Sequence, residues 1–558
     1  MFAWLGMAAF CSAAATLSIA LQGFEFGIDN NAFHIPIVLR WYDLPQFASD
    51  PLIQSLRHYA TPVYPFLSLF ADTENIRAIF FLAFFLTRAL TIFALFQLMR
   101  ACGLKQPWLT VATVTTVFIS AIYGQSSIGR DELFVDIFTH TALAQAVALL
   151  GIASLIRGKL LWAALAMGIA FDLNAIVGAW TAVPLALACM GRLVSKSPHD
   201  PTTAVKTTGV FTLVAAPVVI WIVATQGNAI PNFDYRAFLV EYYPYHFFIG
   251  WADWPHRIEF ALQLACGAIG ILLLPRNRAG AALVLSGLAL VFCLGVLVGQ
   301  LSHAHFLLNL HLLRVDGMIL WLAVCVIVTV GFNALAAPPG LPALGGAAAI
   351  SGLIANDWRI VLAGLLWLAA TRYWSQPPHM QWSSLPRIRP SRLVASGALF
   401  IYAAANYATY APQAAPPGRD DVPSDQQLAG DQPAAPQWRQ VTEWARAETA
   451  PNALFLVPPK MDFIAAAQRR SWTGWKEGAA AMWEPGIYVG WHARTNAVAA
   501  LHNTGAMLAY ACANRIDYVV FDRRPGRALP GITRQPVFEN RWFAVVAASA
   551  CPQHVSRS

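Results

Sequence analysis

Apolar residues fall into a succession of long runs separated by short polar loops. About 20 apolar residues in a helix cross the hydrocarbon core of a bilayer. On that scale the runs predict spans at about 3–22, 77–99, 107–123, 138–156, 160–172, 174–190, 208–226, 257–275, 279–300, 311–331, 341–355, 358–371 and 394–411. The short run 160–172 reads either as a re-entrant segment or, with 174–190, as one bent helix. The weak runs 341–355 and 358–371 leave the same choice. The expected fold class is mainly α, a polytopic helical membrane protein with about 11–13 transmembrane helices. No Lys or Arg precedes the first run, so it reads as a retained span rather than a cleaved secretory signal.

The pattern changes after residue 411. Residues 412–436, "PQAAPPGRDDVPSDQQLAGDQPAAP", are rich in Pro, Gly, Ala and Asp and read as a linker. Beyond it, "QWRQVTEWARAET" and "TGAMLAYACANR" carry helical spacing, whereas "NALFLVPP", "IDYVVFD" and "NRWFAVVAAS" read as strands. Three segments are therefore expected. Residues 1–411 would form the transmembrane domain, 412–436 the linker, and 437–558 a small α/β domain outside the membrane.

Composition agrees with the hydropathy. Of 558 residues, 57% are hydrophobic and 12% charged, about half the charge of a soluble domain. The net charge of +8 does not point to nucleic acid, because the cations sit mainly in short loops between spans. Arg100 and Lys105, Arg157 and Lys159, Arg192, Lys196 and Lys206, Arg276 and Arg278, and Arg372, Arg387, Arg389 and Arg392 mark alternate loops, with Asp200 as their lone acid. Asp29, Asp43, Asp50, Asp72, Asp131, Asp136, Asp234, Glu241 and Asp253 mark the opposite ones. The positive-inside rule places the first set, with the N-terminus, in the cytoplasm and the second, with the C-terminal domain, outside. A bacterial inner membrane with a periplasmic C-terminal domain is the expected location.

Six of the eight cysteines lie in or beside apolar runs and read as small core residues. Cys512 and Cys551 end a helix and a strand of the outer domain, where they would form a disulfide or two buried thiols. No Cys/His spacing suggests a metal site.

Two outer loops are long. Residues 23–76 hold apolar stretches at helical spacing broken by Pro36, Pro45, Pro51, Pro62 and Pro65, and read as a pair of amphipathic helices along the outer membrane surface. Residues 227–256 are dense in Tyr, Phe and Trp, which suits either the interfacial belt or contact with a sugar or lipid. The first long loop opens with Asp29-Asn30-Asn31-Ala32-Phe33-His34-Ile35-Pro36. A first span followed by such a stretch resembles the GT-C superfamily of membrane glycosyltransferases, whose loop begins in several members with Asp-Glu-x-Phe-His-x-Pro or a variant. Here Asn30 stands where the second acid would be, and one residue is inserted. A second acidic stretch, "GRDELFVD" at 129–136, occupies the next outer loop, as GT-C enzymes often have. The Trp-Trp-Asp-Tyr-Gly motif of oligosaccharyltransferases is absent. The outer domain is similar to that of bacterial membrane proteins of this superfamily through Thr449, Pro451, Pro458, Pro459, Phe463, Arg469, Arg470, Trp475, Lys476, Trp491 and Arg494.

The resemblance implies transfer of a sugar from a polyprenyl-phosphate donor to a lipid, glycan or protein acceptor. The chemistry needs a base for the acceptor hydroxyl and positive groups, or a metal, for the departing phosphate. Asp29 is the first candidate base. Asp131 and Glu132 would orient the acceptor, or would hold a divalent cation such as Mg or Mn together with Asp29. His34, Arg130, Arg314, His303 and His305 are candidates for binding substrate phosphate. Each has a structural alternative: helix caps for the acids, an ion pair with Asp316 or Asp172 for Arg314, packing for the histidines. "RRSWTGWKEG" in the outer domain would face lipid headgroups or a glycan. Membrane lipids and other envelope-assembly proteins are the remaining expected partners. A non-catalytic scaffold of the same fold, or a transporter or flippase for lipid-linked glycan, are the alternatives.

Overall fold

The computed structural model describes residues 2–194, 200–225, 233–337, 340–374, 435–459, 461–524 and 534–548. The expected span 394–411 and the linker up to residue 434 lie outside the described residues, and the last two linker residues, Ala435 and Pro436, open the Ala435–Glu448 helix. The chain divides into two compact units.

The first unit draws on Met1–Phe24, Phe81–Trp221 and Asp234–Ala414. It is helical. Helices occupy twelve of the thirteen predicted spans, from Phe2–Gln22 to Trp358–Trp374. Seven described helices are long and apolar enough to cross a membrane by length and composition, and others are shorter apolar helices. The protein is a multi-pass membrane protein. Its centre is the Asp316–Leu335 helix, buried from Asp316 through Phe332. The Trp254–Leu273, Leu341–Ile354 and Leu109–Ile122 helices pack around it. Small residues set the close approaches: a Cβ on Gly346 would lie 2.7 Å from the Gly331 carbonyl oxygen, the packing mode that brings helices together in lipid.

The uncertain pair 160–172 and 174–190 is two helices, Leu160–Leu173 and Ala175–Leu193. Asn174 makes the break. Its backbone is extended and its side-chain oxygen accepts from the Ile176 and Val177 N–H groups, which caps the second helix. Gly178 then lies against Phe171, with room for no Cβ, so the helices fold back as a hairpin. The runs 341–355 and 358–371 are likewise separate helices, Leu341–Ile354 and Trp358–Trp374.

The second unit holds the described residues of Glu25–Phe80, Ile222–Phe233 and Ala415–Ser558. The C-terminal domain, called the outer domain after the side expected from its sequence, and the first long loop therefore share one compact unit, a grouping hydropathy does not mark. Five strands form one sheet: β1 Leu454–Leu456, β2 Arg470–Ser471, β3 Tyr518–Asp522, β4 Phe538–Glu539 and β5 Phe543–Ala547. Their order is β2-β1-β3-β5-β4. β1 pairs in parallel with β2 and β3, and β5 runs antiparallel to both β3 and β4. The three strands read from sequence are β1, β3 and β5, each with a largely buried apolar run. Trp438, Val441, Phe455, Phe463, Phe543 and Val545 fill one face of the sheet. Leu508, Ala511, Val519 and Val546 fill the other.

Residues 23–76 differ from the amphipathic pair expected. They form the Asn31–Val38 helix, short turns and the brief helices Pro51–Ser55 and Val63–Leu67. Pro45 and Pro51 open their own short pieces and, by driving the residue before them out of helical conformation, end the piece that precedes. Asn31–Val38 is buried along its whole length, and it packs on the Ile464–Ala467 helix of the outer domain and on Val63–Leu67. Phe66, Leu69 and Phe70 are the most exposed large apolar side chains in this stretch, and Leu44 is exposed to a lesser degree.

Candidate functional site

Asp29 sits where the chain turns into the Asn31–Val38 helix. Its φ is 49°, a left-handed conformation that Asp tolerates better than most residues. Its carbonyl accepts the Ala32 N–H at 3.0 Å, and the Asn31 side chain accepts the Gly27 N–H at 3.1 Å. The outer domain grips the turn twice. The Asp29 N–H donates to Asp462 Oδ2 at 2.6 Å, and Lys476 Nζ is ion-paired with Asp29 Oδ1. Lys476 also reaches Asn30 Oδ1 at 3.4 Å. The Asp29 side chain stays 32% exposed, against 15% for Lys476, so the carboxylate is held and still open on one side. His34, a candidate for binding substrate phosphate, is buried with its ring stacked on Tyr64 at 4.3 Å.

Other motif residues of the outer domain complete this seat. Glu477 is buried and ion-paired with Arg494. The Arg494 guanidinium lies 5.2 Å over the Trp472 ring. Trp491 Nε1 donates to the Gly474 carbonyl at 2.9 Å. His58 contacts Glu484 at 2.9 Å, Trp483 Nε1 donates to Ser55 Oγ at 3.2 Å, and Arg470 Nη1 donates to Ser49 Oγ at 3.0 Å. Arg469 is structural: it donates to the Arg446 and Thr449 carbonyls, each at 2.7 Å.

Burial pushes the Glu477 carboxyl from 4.5 up to about 8, with Arg494 opposing. Between those values the folded chain binds a proton that the unfolded chain has lost. Stability from this group is therefore full below about pH 4.5, falls through the window and is gone above about pH 8. The unfolding midpoint of the full-length protein should drop between about pH 6 and about pH 9, and drop less in Glu477→Gln, which keeps the shape without titrating. Equal slopes in a thermal-shift series would remove Glu477 as the cause.

The second acidic stretch lies in the other unit, where it is bolted to the turn before the Asp316–Leu335 helix. Arg314 donates to Asp131 Oδ1 from Nε at 3.1 Å and Nη2 at 2.8 Å. Gln145 donates to Oδ2. The Asp131 side chain is 1% exposed. Burial raises its carboxyl above the usual range, and Arg314 opposes this. Asp316 takes the Ser126 hydroxyl at 2.6 Å on one oxygen and the Ile128 and Gly129 N–H groups at 2.8 Å on the other. The contact is so close that a Cβ on Gly129 would lie 2.6 Å from Arg314 Cα. Arg130 has a φ of 51° and its guanidinium lies 5.5 Å over the Tyr245 ring. Glu132 accepts from Gln125 at 2.5 Å. His246, which sequence reasoning passed over, meets the Gly129 carbonyl at 2.8 Å. Burial and Arg314 push its imidazole well below the usual value, so it donates here as a neutral ring.

Arg314 thus pairs with Asp131 rather than with Asp316 or Asp172. His303 and His305 stand elsewhere. His303 lies 3.7 Å from Asp234, and the His305 ring lies 4.2 Å from that of Tyr235. Among the described residues no group of three or more His, Cys, Asp or Glu side chains is gathered that could hold a metal ion. Asp131 gives both carboxylate oxygens to protein donors, and Asp29 faces Lys476. Cys512 is disulfide-bonded; Cys551 lies outside the described residues.

Residues 436–498, which contain Lys476, Glu477, Trp491 and Arg494, match a family model described as a domain of unknown function (DUF6798). No curated protein matches the chain. Among solved structures the chain is similar to the crystal structure of ArnT from Cupriavidus metallidurans bound to undecaprenyl phosphate, at 13% identity over 99% of each chain with a TM-score of 0.41.

Proposed function

We propose that the protein is a membrane glycosyltransferase of the GT-C type, which moves a sugar from a polyprenyl-phosphate donor to a lipid, glycan or protein acceptor on the periplasmic face of a bacterial inner membrane. The observation that carries this reading is Asp29. It is a carboxylate in a left-handed turn just after the first membrane helix, held from two directions and left partly open. A residue kept in a sparsely populated conformation by surrounding contacts is a mark of a functional position. In this reading the open face of Asp29 takes the acceptor proton while the acceptor oxygen attacks the sugar carbon. The bond from that carbon to the phosphate oxygen breaks, and polyprenyl phosphate departs with the electron pair. Asp131, tied up by Arg314 and Gln145, shapes the loop that carries Arg130 and Glu132 rather than reacting itself.

A scaffold role in envelope assembly is the second reading, favoured by Asn30 in place of a paired acid. The two separate in proteoliposomes of the purified protein given radiolabelled polyprenyl-phosphate sugars and an envelope extract. Transfer of label to an acceptor, with stoichiometric polyprenyl phosphate, is expected. No turnover across hexosyl and pentosyl donors and acceptor fractions would decide for the scaffold.

A further inference from the structure

Asp29 as the base leaves the outer domain no part in the chemistry, yet its contacts converge on that residue. We propose that Lys476 is the positioning residue for Asp29, so that the outer domain supplies a cation without which the site on the 25–80 segment turns over poorly. This rests on the reading of Asp29 given above.

The Lys476 ammonium is ion-paired with Asp29 Oδ1 and lies 3.4 Å from Asn30 Oδ1. At 15% exposure it is largely sheltered from the water and salt that screen surface pairs. The short helix that carries it, Trp475–Ala479, is fixed on its other sides. Glu477 is buried against Arg494. Gly478 lies so close to the Trp491 ring that a Cβ would fall 2.4 Å from it. Trp491 Nε1 in turn holds the Gly474 carbonyl.

A second segment of the same domain grips the backbone at Asp29. Asp462 accepts its N–H at 2.6 Å and is itself steadied by Trp438 Nε1, which donates to the Asp462 carbonyl at 2.7 Å. Two distant segments therefore meet on one residue, one fixing its main chain and the other its carboxylate. With Oδ1 taken by the ammonium, the carboxylate has a defined rotation, and its remaining oxygen is presented in a fixed direction. Orientation of this kind acts on the rate of the chemical step more than on donor binding.

Full-length Lys476→Met, Lys476→Arg and Asp29→Asn variants test this in proteoliposomes with a polyprenyl-phosphate sugar, all rates being taken per folded protein. Lys476→Met should lower kcat at least about tenfold while KM for the lipid donor stays within about twofold of wild type, and Lys476→Arg should recover most of the rate. A merely structural lysine would give a wild-type kcat once the folded fraction is counted, and that result overturns the proposal. So does a loss that Lys476→Arg fails to recover, or one that falls on KM alone. If Asp29→Asn is inactive and Lys476→Met is normal, only this inference fails. If Asp29→Asn keeps full activity, the base assignment fails and carries this inference with it.

Discussion

Asp29→Asn is expected to yield a folded, membrane-inserted protein whose sugar transfer is slower by roughly 10²–10⁴-fold, the usual contribution of a positioned general base. Asn matches Asp in shape, and the grip of Asp462 on residue 29 acts through the backbone N–H, so the turn keeps its anchor. The substitution removes the proton acceptor and the charge that Lys476 meets. Initial rates of label transfer, normalised to the folded fraction from size-exclusion chromatography, measure the effect. A rate equal to wild type would end the case for Asp29 as the base.

The second large effect falls on stability. Arg314→Met leaves the Asp131 carboxylate, 1% exposed, with Gln145 alone as side-chain donor and no cation. Removing one partner of a buried ion pair costs about 3–5 kcal/mol, because the remaining charge stays desolvated. The loop at 126–132 should loosen and the unfolding midpoint in detergent should fall. The double variant Arg314→Met with Asp131→Asn should recover part of the loss, since it leaves no buried charge. Were Arg314 there for substrate phosphate instead, Arg314→Met would keep the wild-type midpoint and raise KM for the lipid donor.

Much of the fold is written locally. Twelve apolar runs became helices because length and hydropathy act within a segment, and β1, β3 and β5 announced themselves through continuous buried runs. β2 and β4, two residues each, are too short to leave a period. The Asn174 break was ambiguous because one capping side chain, rather than a proline or a charge, makes it. The loop at 23–76 misled for another reason. Its apolar spacing is real, but it buries against the outer domain at the far end of the sequence.

The site was legible as residue types and not as pairings. Asp29, Asp131 and Arg314 stood out as charges beside apolar runs. That Arg314 serves Asp131, 183 residues away, and that Lys476 serves Asp29 depends on how each unit packs within itself, which no local pattern encodes. His246 left little trace because it lies among aromatic residues that read as belt. The left-handed backbone at Asp29 and Arg130 has no sequence signature, since neither residue is the glycine that usually marks it.

In the proposed reaction Asp29 acts on the reacting hydroxyl and not on binding of the lipid carrier. One preparation each of wild type and Asp29→Asn, in proteoliposomes, decides it: turnover of a labelled polyprenyl-phosphate sugar and affinity for unlabelled polyprenyl phosphate are measured side by side. Turnover is expected to fall by roughly 10²-fold or more, with affinity for the lipid phosphate unchanged or tighter, because a negative charge near the phosphate is gone. Undiminished turnover, or a loss of turnover matched by an equal loss of lipid-phosphate binding, would contradict it.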